Sequence, residues 1–256
     1  MTYCVALAPD SGLVFISDSR TNAGVDDVST YSKMYHFGIT GQRQFIILTS
    51  GNLATTQSVI SRVKRDIKEH TETNLMTVPT VRDAAEYLGD VSVRIQEKNA
   101  ANGSGGVNYE ANFIIGGQVQ NAKQGIFHVY PQGNNITTSK DTCYLQIGES
   151  KYGKPILDRI MKPGTSIETA CLCGLVSMDS TMRSNLTVGP PIEVVVYKKD
   201  SLVIDRRYRF EEDSDYLREL KRCWDENLKD AFSNLPPIAW SNNWDNAQVS
   251  EKDTSN

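Results

Sequence analysis

The chain has 256 residues, of which 39% are apolar, and this suits one large domain with a continuous core. Its formal net charge is -4 and its charged residues are interspersed, so no long-range field favours nucleic acid or an anionic membrane as a partner. No apolar run approaches the roughly 20 residues that cross a bilayer, and no secretory signal pattern opens the chain, so we expect a cytoplasmic protein.

The cysteines and histidines give no sign of a disulfide framework or a metal site. The five cysteines are odd in number and never spaced as CxxC, and the three histidines lie far apart. We therefore expect reduced thiols, no metal and no organic cofactor. The glycine-rich segment at 103–106 precedes a strand, so we interpret it as a flexible loop and not as a phosphate-binding turn.

The first half of the chain predicts strands followed by two helices. Residues 2–8 and 12–18 are β-rich runs joined by turn formers, which is typical of a hairpin. After a polar loop, the run QFIILTS is apolar enough to indicate an interior strand. Apolar positions then recur at helical spacing from Asn52, and a second helix is predicted from near Thr80 to about Lys98.

The second half repeats this order of strands before helices and then adds another hairpin and another helix. Glycine, asparagine and proline separate three strand-like runs, two helical stretches follow, and an amphipathic helix succeeds the last hairpin. The strands are predicted at 111–117, 125–131 and 143–148, the helices at 150–161, 166–183 and 215–232, and the hairpin strands at 192–199 and 202–210.

Strand groups thus alternate with helix pairs and not with single crossover helices. This order favours an α+β fold in which two antiparallel sheets lie between helix layers. We predict one domain over residues 1–240, with a helical extension from about residue 212, and a polar, disordered tail over 241–256. Trp224 and Leu228 share one face of the last helix. By default we expect this face to pack on its own domain, and the alternative is that it extends a contact between subunits.

Thr2 is the first candidate for chemistry. Removal of the initiator methionine is favoured when the next side chain is small, so we expect a free α-amine beside the Thr2 hydroxyl. The amine has an ordinary pKa of about 8 and can act as the base that a hydroxyl nucleophile needs. Asp18 and Lys33 fall at strand termini, where a lysine would lower the proton affinity of the amine and an aspartate would orient the lysine. The alternative for both is a solvated surface charge.

The segment TSGNLA places Gly51 between an interior strand and the start of a helix. Unpaired backbone N–H groups point outward at a helix N-terminus, and a glycine permits a close approach. We interpret the segment as a candidate oxyanion hole, and the alternative is an ordinary turn between a strand and a helix.

Several motifs, taken in order, resemble one family. They are the N-terminal threonine, DSRTNAG, the lysine that follows it, SGNLA, FIIGG, GIFHVYPQGN and IGESKYG. Together they resemble the proteasome-type N-terminal nucleophile hydrolases, and most of all the bacterial Anbu branch, over roughly residues 2 to 210. The resemblance implies a four-layer αββα sandwich, a threonine peptidase acting on peptides or unfolded polypeptides without metal or cofactor, and a large homo-oligomer, either a ring or an open helix.

The same resemblance implies a role for individual residues. Thr2 matches the nucleophile, Asp18 the aspartate of the DSR motif, Lys33 the catalytic lysine and Gly51 the residue whose amide stabilises the oxyanion. Substrate-binding positions complete the set: Thr21 and Asn22 match residues that pair with the peptide backbone, and Thr49 and Leu53 match residues that shape the specificity pocket.

The chain departs from the family pattern at two places. Proteasome subunits usually carry a G-S-G turn whose serine supports the threonine, and here Glu149 takes the place of that serine. In the later D-x-x-S motif Asp179 fits, Met182 occupies the serine position, and only Ser180 or Ser184 could substitute. Two alternative functions therefore stay open: hydrolysis of non-peptide amides, and a catalytically silent assembly or peptide-binding scaffold.

Overall fold

Two β-sheets lie at the centre of the protein, and a pair of helices covers the outer face of each. The computed structural model describes residues 1–22, 28–102 and 107–238. The strands are β1 (Tyr3–Leu7), β2 (Gly12–Ser17), β3 (Arg20–Asn22), β4 (Val28–Thr30), β5 (Met34–Ile39), β6 (Arg43–Gly51), β7 (Ala111–Val119), β8 (Gly125–Val129), β9 (Asn135–Thr137), β10 (Tyr144–Gly148), β11 (Ile192–Lys198) and β12 (Arg206–Phe210). The helices are α1 (Leu53–Lys68), α2 (Val81–Asn102), α3 (Lys154–Ile160), α4 (Ile167–Ser184) and α5 (Asp215–Ser233).

Both large sheets are antiparallel between every pair of neighbouring strands. The first sheet has the strand order β10-β1-β2-β11-β12, and the second has the order β5-β6-β7-β8-β9. A separate small ribbon pairs β3 with β4. Because Tyr3 pairs with Gly148 at the end of β1, the start of the chain lies beside the end of β10.

Alternation of side chains along the strands divides the core into three layers of contacts. In β1, Val5 packs toward α3 and α4, whereas Cys4 faces the second sheet. In β6, Ile47 packs toward α1 and α2, and Ile46 faces the first sheet. Strands buried on both faces have near-continuous apolar sequences, which is why these runs could be recognised. The predicted αββα sandwich is confirmed.

Side-chain caps fix the starts of the first two helices. The Asn52 side chain accepts a hydrogen bond from the backbone N–H of Thr55 at 3.0 Å, and the Thr80 hydroxyl accepts one from Asp83 at 3.2 Å. Each cap satisfies a donor that the first helical turn leaves unpaired. Both predicted helix starts are confirmed, while α2 extends to Asn102 and not only to about residue 98.

The hairpin predicted near Lys199 is shorter than its sequence suggested. Strand β11 ends at Lys198, but β12 begins only at Arg206. Between them, Leu202 adopts a positive φ of 49°, and its carbonyl accepts hydrogen bonds from the side chain of Gln44 and the backbone of Gly41. These bonds draw residues 202–205 away from the β11 ladder, although the first three of their side chains are apolar enough for a strand.

Helix α5 lies on α4 and buries none of its residues fully. Leu217 and Leu220 pack against the core beneath α4, whereas Leu228 and Phe232 are exposed. No helix in the part of the chain that the structure describes is long and apolar enough to span a bilayer. Part of the predicted polar loop after β2, the glycine-rich segment at 103–106 and the predicted tail at 241–256 lie outside the described residues.

Candidate active site

The turn after β10 holds the backbone of Thr2. The carbonyl of Thr2 accepts a hydrogen bond from the backbone N–H of Glu149 at 2.7 Å. Gly148 has a positive φ of 83°, and a Cβ added there would lie 1.9 Å from the Thr2 oxygen. Only glycine therefore allows β10 to approach Thr2 this closely.

Asp18 and Lys33 form a buried ion pair next to Thr2. The exposed fraction is 0% for Asp18 and 5% for Lys33. The Lys33 Nζ donates to Asp18 Oδ1 at 2.8 Å and to the backbone carbonyl of Arg20 at 2.6 Å. Two backbone N–H groups also donate hydrogen bonds to the Asp18 carboxylate: Tyr3 donates to Oδ1 at 3.0 Å and Gly189 donates to Oδ2 at 3.3 Å. The alternative of two solvated surface charges is therefore wrong.

The electrostatics of this pair act on the α-amine at the start of the chain. Burial raises the pKa of Asp18 above its ordinary value, and the Lys33 ammonium opposes that rise. Burial lowers the pKa of the Met1 α-amine, and Lys33 lowers it further, while the carboxylates of Asp18 and Glu149 act in the opposite direction. An amine with a lowered pKa is neutral over more of the physiological pH range, as a base must be.

A cleft of about 620 Å³ opens beside Thr2 between the ends of the two sheets. Thr21, Gly51 and Leu53 line this cleft, as does Met1. Thr49 is not among the lining residues. It is buried on the face of β6 that points to the helices, because its side chain has the same phase as that of Ile47. Asn22 ends β3, and its side chain lies outside the described residues.

Gly51 ends β6 in a conformation that requires glycine. Its φ is 104°, and a Cβ added there would lie 2.4 Å from the carbonyl oxygen of Glu110. Helix α1 begins two residues later, at Leu53, so the positive end of its dipole is close to the cleft. This arrangement suits the stabilisation of a negatively charged oxygen.

Asn112 and His128 form a polar part of the cleft that sequence reasoning missed. The His128 Nε2 lies 3.2 Å from Asn112 Oδ1, and its ring centroid lies 4.2 Å from that of Tyr130. Burial lowers the pKa of His128 to about 4, so its imidazole is neutral at physiological pH. One signal in the sequence could have indicated this site. His128 lies in an apolar strand and, two residues after the core residue Ile126, its side chain is on the same face of that strand.

The structure does not bring Asp179 and Ser180 to the cleft. Asp179 lines a separate cavity of about 270 Å³ together with Arg20 and Lys221. On the face of α4 that packs on the first sheet, the Ser177 hydroxyl lies 2.6 Å from that of Tyr3. Ser177 and Asp179 are two positions apart, about 200° around a helix, and so they face in nearly opposite directions.

Metal ligands are not grouped anywhere in the described ranges. No three His, Cys, Asp or Glu residues among those that the structure describes could hold one ion. The cleft is lined by Thr2 and by the glycine turns at Gly51 and Gly148.

Comparison with known proteins identifies the family. The family model "Proteasome subunit" matches residues 2–197. Anbu (ancestral beta-subunit) from Yersinia bercovieri has 43% identity and a TM-score of 0.88 over 93% of this chain and 99% of that chain. The Anbu (Gly-1) mutant from Hyphomicrobium sp. strain MC1 has 39% identity and a TM-score of 0.87, over 93% of this chain and 99% of that one.

A structure described as the helical assembly of the Anbu complex from Pseudomonas aeruginosa has 43% identity and a TM-score of 0.88 over 92% of this chain and 98% of that chain. No curated protein matches the chain. The family match over most of the sequence and the close fit to several Anbu structures agree with the order of motifs around Thr2. The chain belongs to the proteasome subunit family, in its Anbu branch.

Proposed function

We propose that the chain, once Met1 is removed, hydrolyses peptide bonds as an N-terminal threonine peptidase. One observation carries the proposal: Thr2 lines the cleft, and the next residue along the chain binds the buried Asp18–Lys33 pair through its backbone. Removal of Met1 would leave an α-amine next to the Thr2 hydroxyl and near an ammonium that is only 5% exposed. The same proposal assigns the enzyme to the cytoplasm.

The reaction uses Thr2 for two purposes. Its hydroxyl attacks the peptide carbonyl, and its own amine accepts the hydroxyl proton, directly or through one water molecule. Lys33 keeps the amine neutral before attack, and Asp18 holds Lys33 in place. The Gly51 amide stabilises the oxyanion, the amine returns the proton to the leaving amino group, and water then hydrolyses the acyl-enzyme ester.

An extended polypeptide is the substrate that fits the cleft. The Thr21 Oγ1 is buried and has no hydrogen-bond partner among the described residues, although it lies at the cleft. A buried hydroxyl without a partner is unfavourable unless a ligand supplies one. A peptide laid along β3 offers backbone N–H and carbonyl groups at a suitable spacing.

A covalent probe separates an active peptidase from a silent scaffold. The replacement of the usual serine by Glu149 is the observation that favours a scaffold. We expect an epoxyketone or β-lactone probe to add one equivalent of mass, and peptide mapping to place it on Thr2. The absence of labelling on a chain shown by mass spectrometry to begin at Thr2 contradicts the proposal. Parallel assays with peptides, asparaginyl amides and acylated amines distinguish peptide hydrolysis from hydrolysis of other amides.

We also propose that the protein acts as a homo-oligomer to which α5 contributes. The Pseudomonas relative is described as a helical assembly, and Leu228 and Phe232 on α5 are 46% and 75% exposed. Exposed apolar side chains on one amphipathic helix are typical of a contact surface.

We expect deletion from Asp213 onward, and the double substitution Leu228→Ser with Phe232→Ser, to lower the particle mass in analytical ultracentrifugation. Lys229→Ser changes an exposed neighbour on the same helix and serves as the control. A particle mass that stays at the wild-type value in both altered proteins removes α5 from the contact.

A further inference from the structure

Glu149 is held close to Thr2 by its own backbone. Its N–H donates to the Thr2 carbonyl, and the residue before it can only be glycine, because any Cβ would collide with that carbonyl. The Glu149 side chain therefore begins at a residue that is hydrogen-bonded to Thr2, and the proposed reaction uses the α-amine of Thr2. Proteasome subunits usually carry a serine at this turn, so the carboxylate is a departure from that pattern.

Asn185 holds the Glu149 side chain. The Asn185 Oδ1 accepts two hydrogen bonds from Thr187, from the backbone N–H at 3.0 Å and from the hydroxyl at 2.6 Å. These two donors fix which end of the amide is oxygen. The Nδ2 is therefore the group that faces Glu149 Oε2, at 3.3 Å, and it donates to that carboxylate.

The segment after α4 thus binds both acidic groups that surround the start of the chain. Asn185 donates to Glu149, and Gly189, four residues later, donates to Asp18. Arg20 anchors the segment, since its guanidinium donates to the carbonyl of Leu186 at 2.9 Å. Glu149 is consequently part of the same fixed arrangement as the buried ion pair.

The charge of Glu149 opposes that of Lys33 at the α-amine. At the Met1 amine, one residue before Thr2, burial and Lys33 lower the pKa, whereas Asp18 and Glu149 raise it. The same charges surround the amine that removal of Met1 leaves on Thr2. A base whose pKa falls too far below the working pH accepts protons poorly, and the most effective pKa is close to that pH. An anion beside the amine also stabilises the ammonium that forms when the hydroxyl proton is transferred.

We propose that Glu149, oriented by Asn185, is a positioning residue that sets the basicity of the Thr2 α-amine in place of the serine usual at this turn. The inference rests on the proposed function, which needs that amine as its base, and it adds a residue that acts through the amine and does not touch the substrate.

The pKa of the amine itself is the quantity to measure. The protein is produced as a fusion that is cleaved just before Thr2, and the amine is acylated with acetic anhydride at a series of pH values. The rate, followed by intact mass and peptide mapping, gives the pKa of the amine without any need for hydrolysis. Glu149→Gln keeps an acceptor for Asn185 and removes the charge, so we expect the pKa to fall by roughly 0.5 to 1.

Other variants test the same point. Glu149→Asp restores the charge and brings the pKa back toward the wild-type value, and Asn185→Leu gives a smaller fall because the carboxylate loses its orientation. Glu110→Gln is the control, since it removes an exposed carboxylate at the rim near Gly51 and leaves the pKa unchanged. In the active enzyme, the acid limb of kcat/KM moves to lower pH in Glu149→Gln by the same amount as the pKa.

The outcomes separate this inference from the proposed function. An amine pKa that is unchanged or raised in both Glu149→Gln and Asn185→Leu overturns the role of Glu149, even if the protein cleaves peptides. A wild-type chain that begins at Thr2 and cleaves nothing overturns the peptidase, while a fall in the pKa of the amine in Glu149→Gln still supports the role of Glu149.

Discussion

Replacing Thr2 with alanine lowers kcat for peptide hydrolysis by about 10⁴-fold or more, because the substitution removes the only hydroxyl that the proposed reaction can use as a nucleophile. Folding is retained, since the contact that fixes Thr2 is made by its backbone carbonyl and the Cβ is kept. Initial rates with a peptide substrate, together with an unchanged thermal transition, test this expectation.

Thr2→Ser is the matched variant. It keeps the hydroxyl and the α-amine and loses one methyl group, so we expect activity within about tenfold of wild type and continued labelling by the covalent probe. Peptide hydrolysis at the parental rate in Thr2→Ala would falsify the assignment of Thr2 as the nucleophile.

Lys33→Met removes activity and also destabilises the fold. The substitution leaves the fully buried Asp18 without its cationic partner, and breaking a buried pair from one side lowers the free energy of unfolding by about 3 to 5 kcal/mol. We expect the pKa of the Thr2 amine to rise at the same time, because the Lys33 ammonium, which lowers the pKa of the Met1 amine in the structure, is gone. Denaturant unfolding measures the first effect, and amine acylation against pH measures the second.

The double variant Asp18→Asn with Lys33→Met separates these two effects. It removes both charges, so we expect it to recover part of the lost stability while hydrolysis remains absent. Stability equal to wild type in the single variant Lys33→Met contradicts the buried pair. Wild-type hydrolysis in the double variant shows that the amine needs no neighbouring ammonium.

The sequence was most informative where the signals are local. The near-continuous apolar runs of β1 and β2, the change to helical spacing after Asn52 and the cap at Thr80 all depend on neighbouring residues. Asp18 and Lys33 were recognised because charges at strand ends tend to gather at sites. The sequence pattern does not predict that the two side chains are buried together as an ion pair, because this depends on how the strands are arranged in space.

Features that depend on sheet register or helix phase were missed or misplaced. Asn112 and His128 meet because β7 and β8 pair with His128 opposite Ile114, and no spacing along the chain predicts that register. The motif spacing favours Asp179, but the rotation of α4 turns Ser177 toward the sheet and leaves Asp179 at a separate cavity. The bond between Glu149 and Asn185 likewise joins residues that are 36 positions apart.

The burial of the Lys33–Asp18 pair has a consequence for work at different ionic strengths. Its side chains are 6% and 0% exposed, so mobile ions cannot enter between them. The ion pair between α4 and α5, Arg183 with Asp225, is partly exposed, with side chains 53% and 30% accessible, and dissolved salt screens charges in such positions. Sodium chloride therefore weakens this ion pair between α4 and α5 and leaves the charge balance around Thr2 intact.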